Sequence, residues 1–293
     1  MVNVTGRPRF APRWLELRER ADAAARAPEL LHPLLDRLSA QPAPAGPPGS
    51  PRGLVIRDLG CGTGSMGRWL AVRLPGPQHW ILHDHDPLLL EHAGARMPVT
   101  AADGTPVDAT TERGDLAALS ADDLAGTSLV TASALLDLLT RDEVEALAEA
   151  CVGAGCPALL ALSVAGRVEL TPSDPFDAEL AAAFDDHQRR TDQGRGLLGP
   201  DAVAAAVAAF ERRGATVVVR PSPWRLGSAE SGLIAEWLRG WVGAARAQRP
   251  ELAPEAVAYL RRRLEECAAG ELTVAVHHTD LLALPGPSSR SAG

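Results

Sequence analysis

The stretch Val55-Ile56-Arg57-Asp58-Leu59-Gly60-Cys61-Gly62-Thr63-Gly64-Ser65-Met66-Gly67 decides the fold. A short apolar run ends in three alternating glycines, and a helical pattern reaching about residue 74 follows. Glycine at every second position permits a tight turn and lets the backbone come close to a ligand. A helix starting there offers unpaired N–H groups and the positive end of its dipole. Asp58 stands where the strand ends, beside the turn. A second strand, 80–83, runs into Asp84, twenty positions past Gly64, near the spacing at which an acid meets a pair of ribose hydroxyls.

Outward from this turn, strands and helices alternate. The spacing predicts helix at 87–96, a strand within 107–114, strand 128–132, helix 141–152 and a fully apolar strand at 158–164. Helix follows at 201–213, strand at 216–220, mostly helix across 228–268, and a last strand at 272–278. Strands alternating with helices of this length imply parallel βαβ units in an open, doubly wound α/β sheet. Ahead of them, residues 13–39 carry apolar residues at helical spacing and read as a helical cap within 1–40, joined by a Pro/Gly linker at 41–53. The main domain spans 54–284, with an insertion at about 165–200, and 285–293 reads as a disordered tail.

The 293 residues are 46% hydrophobic and 23% charged, with a formal net charge of −8, which is a globular balance. The acidic sign opposes a broad nucleic-acid surface, and no run of about 18 apolar residues suggests a membrane span. There is no lysine, so lysine Schiff-base chemistry and a P-loop lysine are excluded. The start, MVNVTGRPRFAPRW, has no apolar core of the export-signal kind, so a cytoplasmic location is expected. The four cysteines, Cys61, Cys151, Cys156 and Cys267, form no metal-binding spacing and read as reduced thiols.

Two cofactors fit the turn. Gly62-x-Gly64-x-x-Gly67 satisfies a dinucleotide pattern, which leaves an NAD(P)-binding oxidoreductase as one reading. The segment VIRDLGCGTGSMG also closely resembles the first motif of class I S-adenosylmethionine-dependent methyltransferases. Asp58 suits the ammonium of that cofactor, directly or through water, and would repel a pyrophosphate. The resemblance continues in HDHDP at 83–87, which implies that Asp84, with His85 beside it, binds the ribose, while Asp86 caps the next helix. Gly114-Asp115-Leu116 resembles the acidic position after the third strand, which implies that Asp115 meets the adenine amino group. The final strands TVVVR and LTVAVHH resemble the family's closing pair. The implied fold is a Rossmann-like, mostly parallel, seven-stranded sheet with its last strand antiparallel. The cofactor-binding set is then Asp58, Gly60, Cys61, Gly62, Gly64, Asp84, His85, Asp115 and Leu116.

The acceptor should meet residues beyond the carboxyl ends of the later strands. Asp137 follows strand four, where many relatives carry a histidine or another polar residue, and His187 lies in the polar cluster of the insertion. They are the candidate catalytic residues, His187 as general base and Asp137 as acceptor-orienting carboxylate. Trp224 either stacks on a flat acceptor or packs in the core. Trp14 and Arg18 share a helix face, and Arg18 is the candidate partner of the cofactor's carboxylate, with a surface ion pair as its alternative. The resulting expectation is in-line methyl transfer to a small-molecule acceptor, in a protein that could form a homodimer. A non-catalytic S-adenosylmethionine-binding regulator is the remaining alternative.

Overall fold

The computed structural model describes residues 11–40, 53–115, 119–192 and 194–286; Leu116, most of the linker and most of the tail lie outside them. The chain begins with α1 (Pro12–Ala25) and α2 (Leu31–Ser39). Alternation then starts: β1 (Leu54–Leu59), α3 (Ser65–Ala71), β2 (Gln78–Asp84), α4 (Pro87–Ala95), β3 (Val107–Arg113) and β4 (Leu129–Ser133). It continues with α5 (Arg141–Gly153), β5 (Ala158–Thr171) and α6 (Asp177–Gln188). A small hairpin of β6 (Thr191–Asp192) and β7 (Arg195–Gly196) follows. The chain then forms α7 (Ala202–Arg212), β8 (Thr216–Pro221), β9 (Trp224–Leu226), α8 (Ser231–Gln248), α9 (Ala253–Ala269) and β10 (Thr273–Leu284).

The sheet order is β3-β2-β1-β4-β5-β10-β8. The first five strands are parallel, and β10 runs antiparallel to both of its neighbours. This is the expected seven-stranded Rossmann-like sheet, with the short β9 added beside β10. The order reverses between β1 and β4, which opens a crevice at their carboxyl ends. Central strands are buried on both faces: in β5, Leu160 faces the layer of α5 and α7, while Leu159 faces the layer of α2, α3 and α4. Leu30, Leu34 and Leu38 belong to that second core, so the N-terminal helices pack as part of the α/β unit. Gln78 ties this layer to the sheet: its amide donates to the Ala71 and Leu74 carbonyls and accepts from Trp80. These carbonyls lie at and just beyond the end of α3, where helix acceptors run out of helical donors.

Two strands outrun their expected lengths. β5 continues to Thr171 and β10 to Leu284. Their free halves pair with each other and with β9, making an arm that α6, α8 and α9 cover with a third apolar core. Part of the expected 165–200 insertion is therefore strand, and the rest is α6 and the β6–β7 hairpin. Pro250 stands in the break that divides the 228–268 helical stretch in two. Trp224 is buried, donates to Asp22 Oδ1 at 2.9 Å and lies edge-on to Trp14, which settles it as a packing residue. Asp86 caps α4 by accepting from the Leu88 N–H at 3.0 Å.

Candidate active site

The glycine turn forms because three of its residues adopt a conformation that side chains resist. Gly60, Gly62 and Gly64 have φ of 59°, 56° and 83°. That left-handed region is costly for other residues. The turn delivers the chain into α3 with Gly64 at the N-cap. A side chain at 62 would also press on Leu15 of α1, which lies across the turn. Glu19 clamps α1 there through two 2.7 Å bonds from Arg68.

Between α1 and the carboxyl ends of β1, β2 and β4 lies a cleft of about 1130 Å³ of atom-free space, part of it open to solvent. Its floor is Gly60 to Thr63 with Ser65. One end is lined by His83, Asp84, His85, Asp86, Leu89 and Gly114. The other end is lined by Leu15, Arg18, Asp22, the segment Ser133–Leu135, Leu138, Leu139 and Arg195. Ala134 also has a positive φ of 52°, a strained backbone placed where the cleft wall turns after β4.

Asp58 lies under the turn, fully buried. Its Oδ1 accepts from the Thr131 hydroxyl at 2.7 Å, and its Oδ2 has no partner. Burial pushes its carboxyl up to about 7, although the Thr131 bond and Arg26 oppose the rise. Arg26, at the end of α1, is buried too: one nitrogen bonds Ser65 and Ser133, while Nε and Nη1 remain without partners. Burial lowers the pKa of this guanidinium, though Asp22, Asp280 and Asp58 hold it charged. Nothing in the sequence pattern singled out Arg26, because its contacts lie 39 and 107 positions away.

Asp84 braces the turn, accepting from the Gly62 N–H and the Asp86 N–H, each at 2.9 Å. His85 Nδ1 is 3.3 Å from Asp84, and its Nε2 is buried without a partner. Cys61 lines the floor, but burial raises its thiol well above the usual range, so it is not a thiolate nucleophile. Asp115 is exposed just beyond Gly114. Arg18 lies in the cleft wall with Nε bound to both oxygens of Asp22 and its guanidinium 4.8 Å from the Trp224 ring. The ion pair that Arg18 makes is thus intrahelical, with the largely buried Asp22.

The two candidate catalytic residues stand back from the cleft wall. Asp137 sits in the turn between Leu135 and Leu138, its Oδ1 buried without a partner. Burial raises its pKa, while the charges of Arg18 and Arg190 oppose the rise. His187 is half-buried on α6, and burial together with Arg190 lowers its pKa, so it is neutral at pH 7.

No protein-family model matches the chain, and no curated protein matches it. Solved structures similar to it include a cyclopropane synthase from Mycobacterium tuberculosis, at 15% identity over 87% of this chain and 83% of that one, with a TM-score of 0.44. S-adenosylmethionine-dependent methyltransferases from Geobacter sulfurreducens (18% identity) and Thiobacillus denitrificans (19% identity), both in complex with S-adenosylhomocysteine, each match 94% of this chain and 99% of theirs at a TM-score of 0.41. The strand pairing itself defines this chain as a Rossmann-like α/β protein, and its function has to be argued from the cleft.

Proposed function

We propose that the protein is an S-adenosylmethionine-dependent methyltransferase acting on a small-molecule acceptor. The observation that carries this reading is the unpartnered, fully buried oxygen of Asp58 beneath a glycine turn. A buried carboxylate without a partner is costly, and a cationic guest offsets that cost. An ammonium supplies the needed charge, whereas a diphosphate across the same turn would meet a like charge.

The cleft residues fit the rest of that cofactor. Asp84 and His85 take the ribose end, Asp115 and the backbone after Gly114 the adenine edge, and Gly60, Cys61 and Gly62 the methionyl chain. Arg18, whose two terminal nitrogens have no partner among the described residues, takes the carboxylate, with Arg26 adding positive charge behind Ser65 and Ser133. When bound, the cofactor supplies a methyl group on a positive sulfonium, so its leaving group is a neutral thioether. The work left to the protein is mainly to align the acceptor and exclude water. Leu15, Leu135, Leu138 and Leu139 keep the acceptor end apolar. Asp137 and His187 stand behind this wall, so this reading leaves the transfer to positioning of donor and acceptor and gives neither residue contact with the acceptor.

Calorimetric titration of the purified protein tests the reading. S-adenosylhomocysteine is expected to bind with a Kd on the order of micromolar, about −8 kcal/mol, and NADH and NADPH not to compete for the cleft. Binding of a dinucleotide in its place would end this assignment.

A second expectation concerns Gly114. A Cβ there would lie 2.6 Å from His83 Nε2, a buried ring at the adenosine end of the cleft. Gly114→Ala must displace that ring, which lines the cleft. S-adenosylhomocysteine affinity should fall roughly tenfold, with a stability loss of about 1–2 kcal/mol by thermal melt. Unchanged affinity would show that His83 has room to move.

A further inference from the structure

Arg195 is on the β6–β7 hairpin, an element that the sheet does not need, yet its side chain lines the cleft beside Leu138 and Leu139. Nη2 alone anchors it, donating to both oxygens of Glu143 at 2.9 and 2.6 Å and to the Leu138 carbonyl at 3.3 Å. Glu143 is itself fixed, because it closes the capping box of α5 with Thr140. Nε and Nη1 of Arg195 make no hydrogen bond within the described residues, and the side chain is 29% exposed. The result is a guanidinium anchored through Nη2 alone, on a side chain that lines the cleft and keeps its single Nε–H and its Nη1–H donors unspent among the described residues.

Its place in the cleft separates it from the donor. His83 to Asp86 and Gly114 follow β2 and β3, whereas Leu138 and Arg195 lie beyond β4. Three strand spacings, about 14 Å, separate β3 from β4. Leu15, Leu135, Leu138 and Leu139 give this end of the cleft its apolar surface, beside the paired Arg18 and Asp22. We propose that the acceptor is an aryl or alkyl carboxylate, with its carboxylate accepting a charge-assisted hydrogen bond from Nε or Nη1 of Arg195 and its apolar body along these leucines. This rests on the methyl-donor reading, because the donor's place on the glycine turn is what leaves the Arg195 end of the cleft to the acceptor.

A carboxylate matches better than a phosphate. A phosphate dianion would need more positive charge than one guanidinium already paired with Glu143 supplies.

The test titrates protein saturated with S-adenosylhomocysteine with benzoate, phenylacetate and octanoate, and with the amide of each as a neutral match. At least one carboxylate is expected to bind roughly tenfold or more tightly than its amide. Arg195→Ala should abolish that preference and leave S-adenosylhomocysteine affinity unchanged. Arg195→Lys keeps a charge opposite Glu143, so it controls for folding, and should retain only part of the preference. Equal binding of acids and amides, no binding of any acid, or a preference that survives Arg195→Ala overturns the proposal. If Arg195→Ala also weakens S-adenosylhomocysteine, Arg195 belongs to the donor site and the proposal fails. If S-adenosylhomocysteine does not bind the unaltered protein, it is the methyl-donor reading that fails.

Discussion

Asp58→Asn is expected to weaken S-adenosylhomocysteine binding at pH 8 by roughly 30- to 1000-fold while making the free protein more stable. The affinity loss follows from removing one charge of a buried pair, about 2–4 kcal/mol. The stability gain follows from the other half of the same physics. The carboxyl sits at about 7 in the folded protein, against an ordinary value near 3.8. Below about pH 4 both folded and unfolded states hold the proton, and Asp58 costs nothing. Between about 4 and 7 the unfolded chain releases the proton that the folded one retains, so stability falls as pH rises, and above 7 the penalty is constant. Asparagine removes that penalty and keeps an oxygen for the Thr131 hydroxyl, so the gain should grow across this window to a few kcal/mol. Donor affinity should carry the mirror image. In the unaltered protein it drops as pH falls below 7, when Asp58 takes a proton, and drops again only in the alkaline range, when the ligand's own amino-acid ammonium loses one. In Asp58→Asn the lower limb should disappear. Urea unfolding at pH 5 and 8, with titrations at both, measures the pair of effects. Equal affinity in the two proteins would show that the carboxylate serves the turn and not the guest.

What could be read in the sequence, and what could not, divides along a physical line. The turn was legible because left-handed backbone at Gly60, Gly62 and Gly64 leaves a compositional mark at fixed spacing. Asp86 was legible as a cap because the need is local. The central part of β5 was legible because burial on both faces demands an unbroken apolar run. Its continuation was not, since from Val164 onward the strand alternates half-buried and exposed residues, and Arg167 and Glu169 look like loop. Only pairing with β10, more than a hundred positions away, turns that segment into strand. The same distance hid Arg26 and Arg195, whose partners lie 39 to 107 positions off. In a chain whose every cation is arginine, residue type marks none of them out. Asp137 and His187 were chosen by position after their strands, a rule that places residues near the acceptor end but does not fix which way they face. The structure sets both behind the wall, Asp137 between Leu135 and Leu138 and His187 on α6.

Arg263→Ala is expected to destabilise the protein by about 3–5 kcal/mol, because it leaves a partly buried carboxylate without its cation. Arg263 is 1% exposed and joins α9 to the start of α6. Its Nη2 bonds both oxygens of Asp177 at 2.8 and 2.9 Å, and its Nη1 bonds the Pro172 carbonyl and Glu266. The Tyr259 hydroxyl donates to the same Asp177 oxygen at 2.5 Å, and burial pushes that phenol above its ordinary range. Asp177 opens α6, where a negative charge also favours the helix dipole. Removing the guanidinium thus takes the cation from Asp177 and Glu266 and a donor from the Pro172 carbonyl at once. Arg263→Met with Asp177→Asn should recover most of the loss, since an apolar replacement of similar length does not have to be desolvated as an ion. The damage should be unequal across the molecule. β1, β4, the glycine turn and α3 contribute no residue to this network, so in amide exchange β1 and β4 should keep their protection while α6 and α9 lose theirs. α6 leads directly into the hairpin that carries Arg195. Preference for a carboxylate over its amide should therefore fade in Arg263→Ala at a temperature where S-adenosylhomocysteine still binds. If both affinities fall together as the protein is warmed, arm and sheet open as one cooperative unit, and the acceptor end has no independence from the donor end.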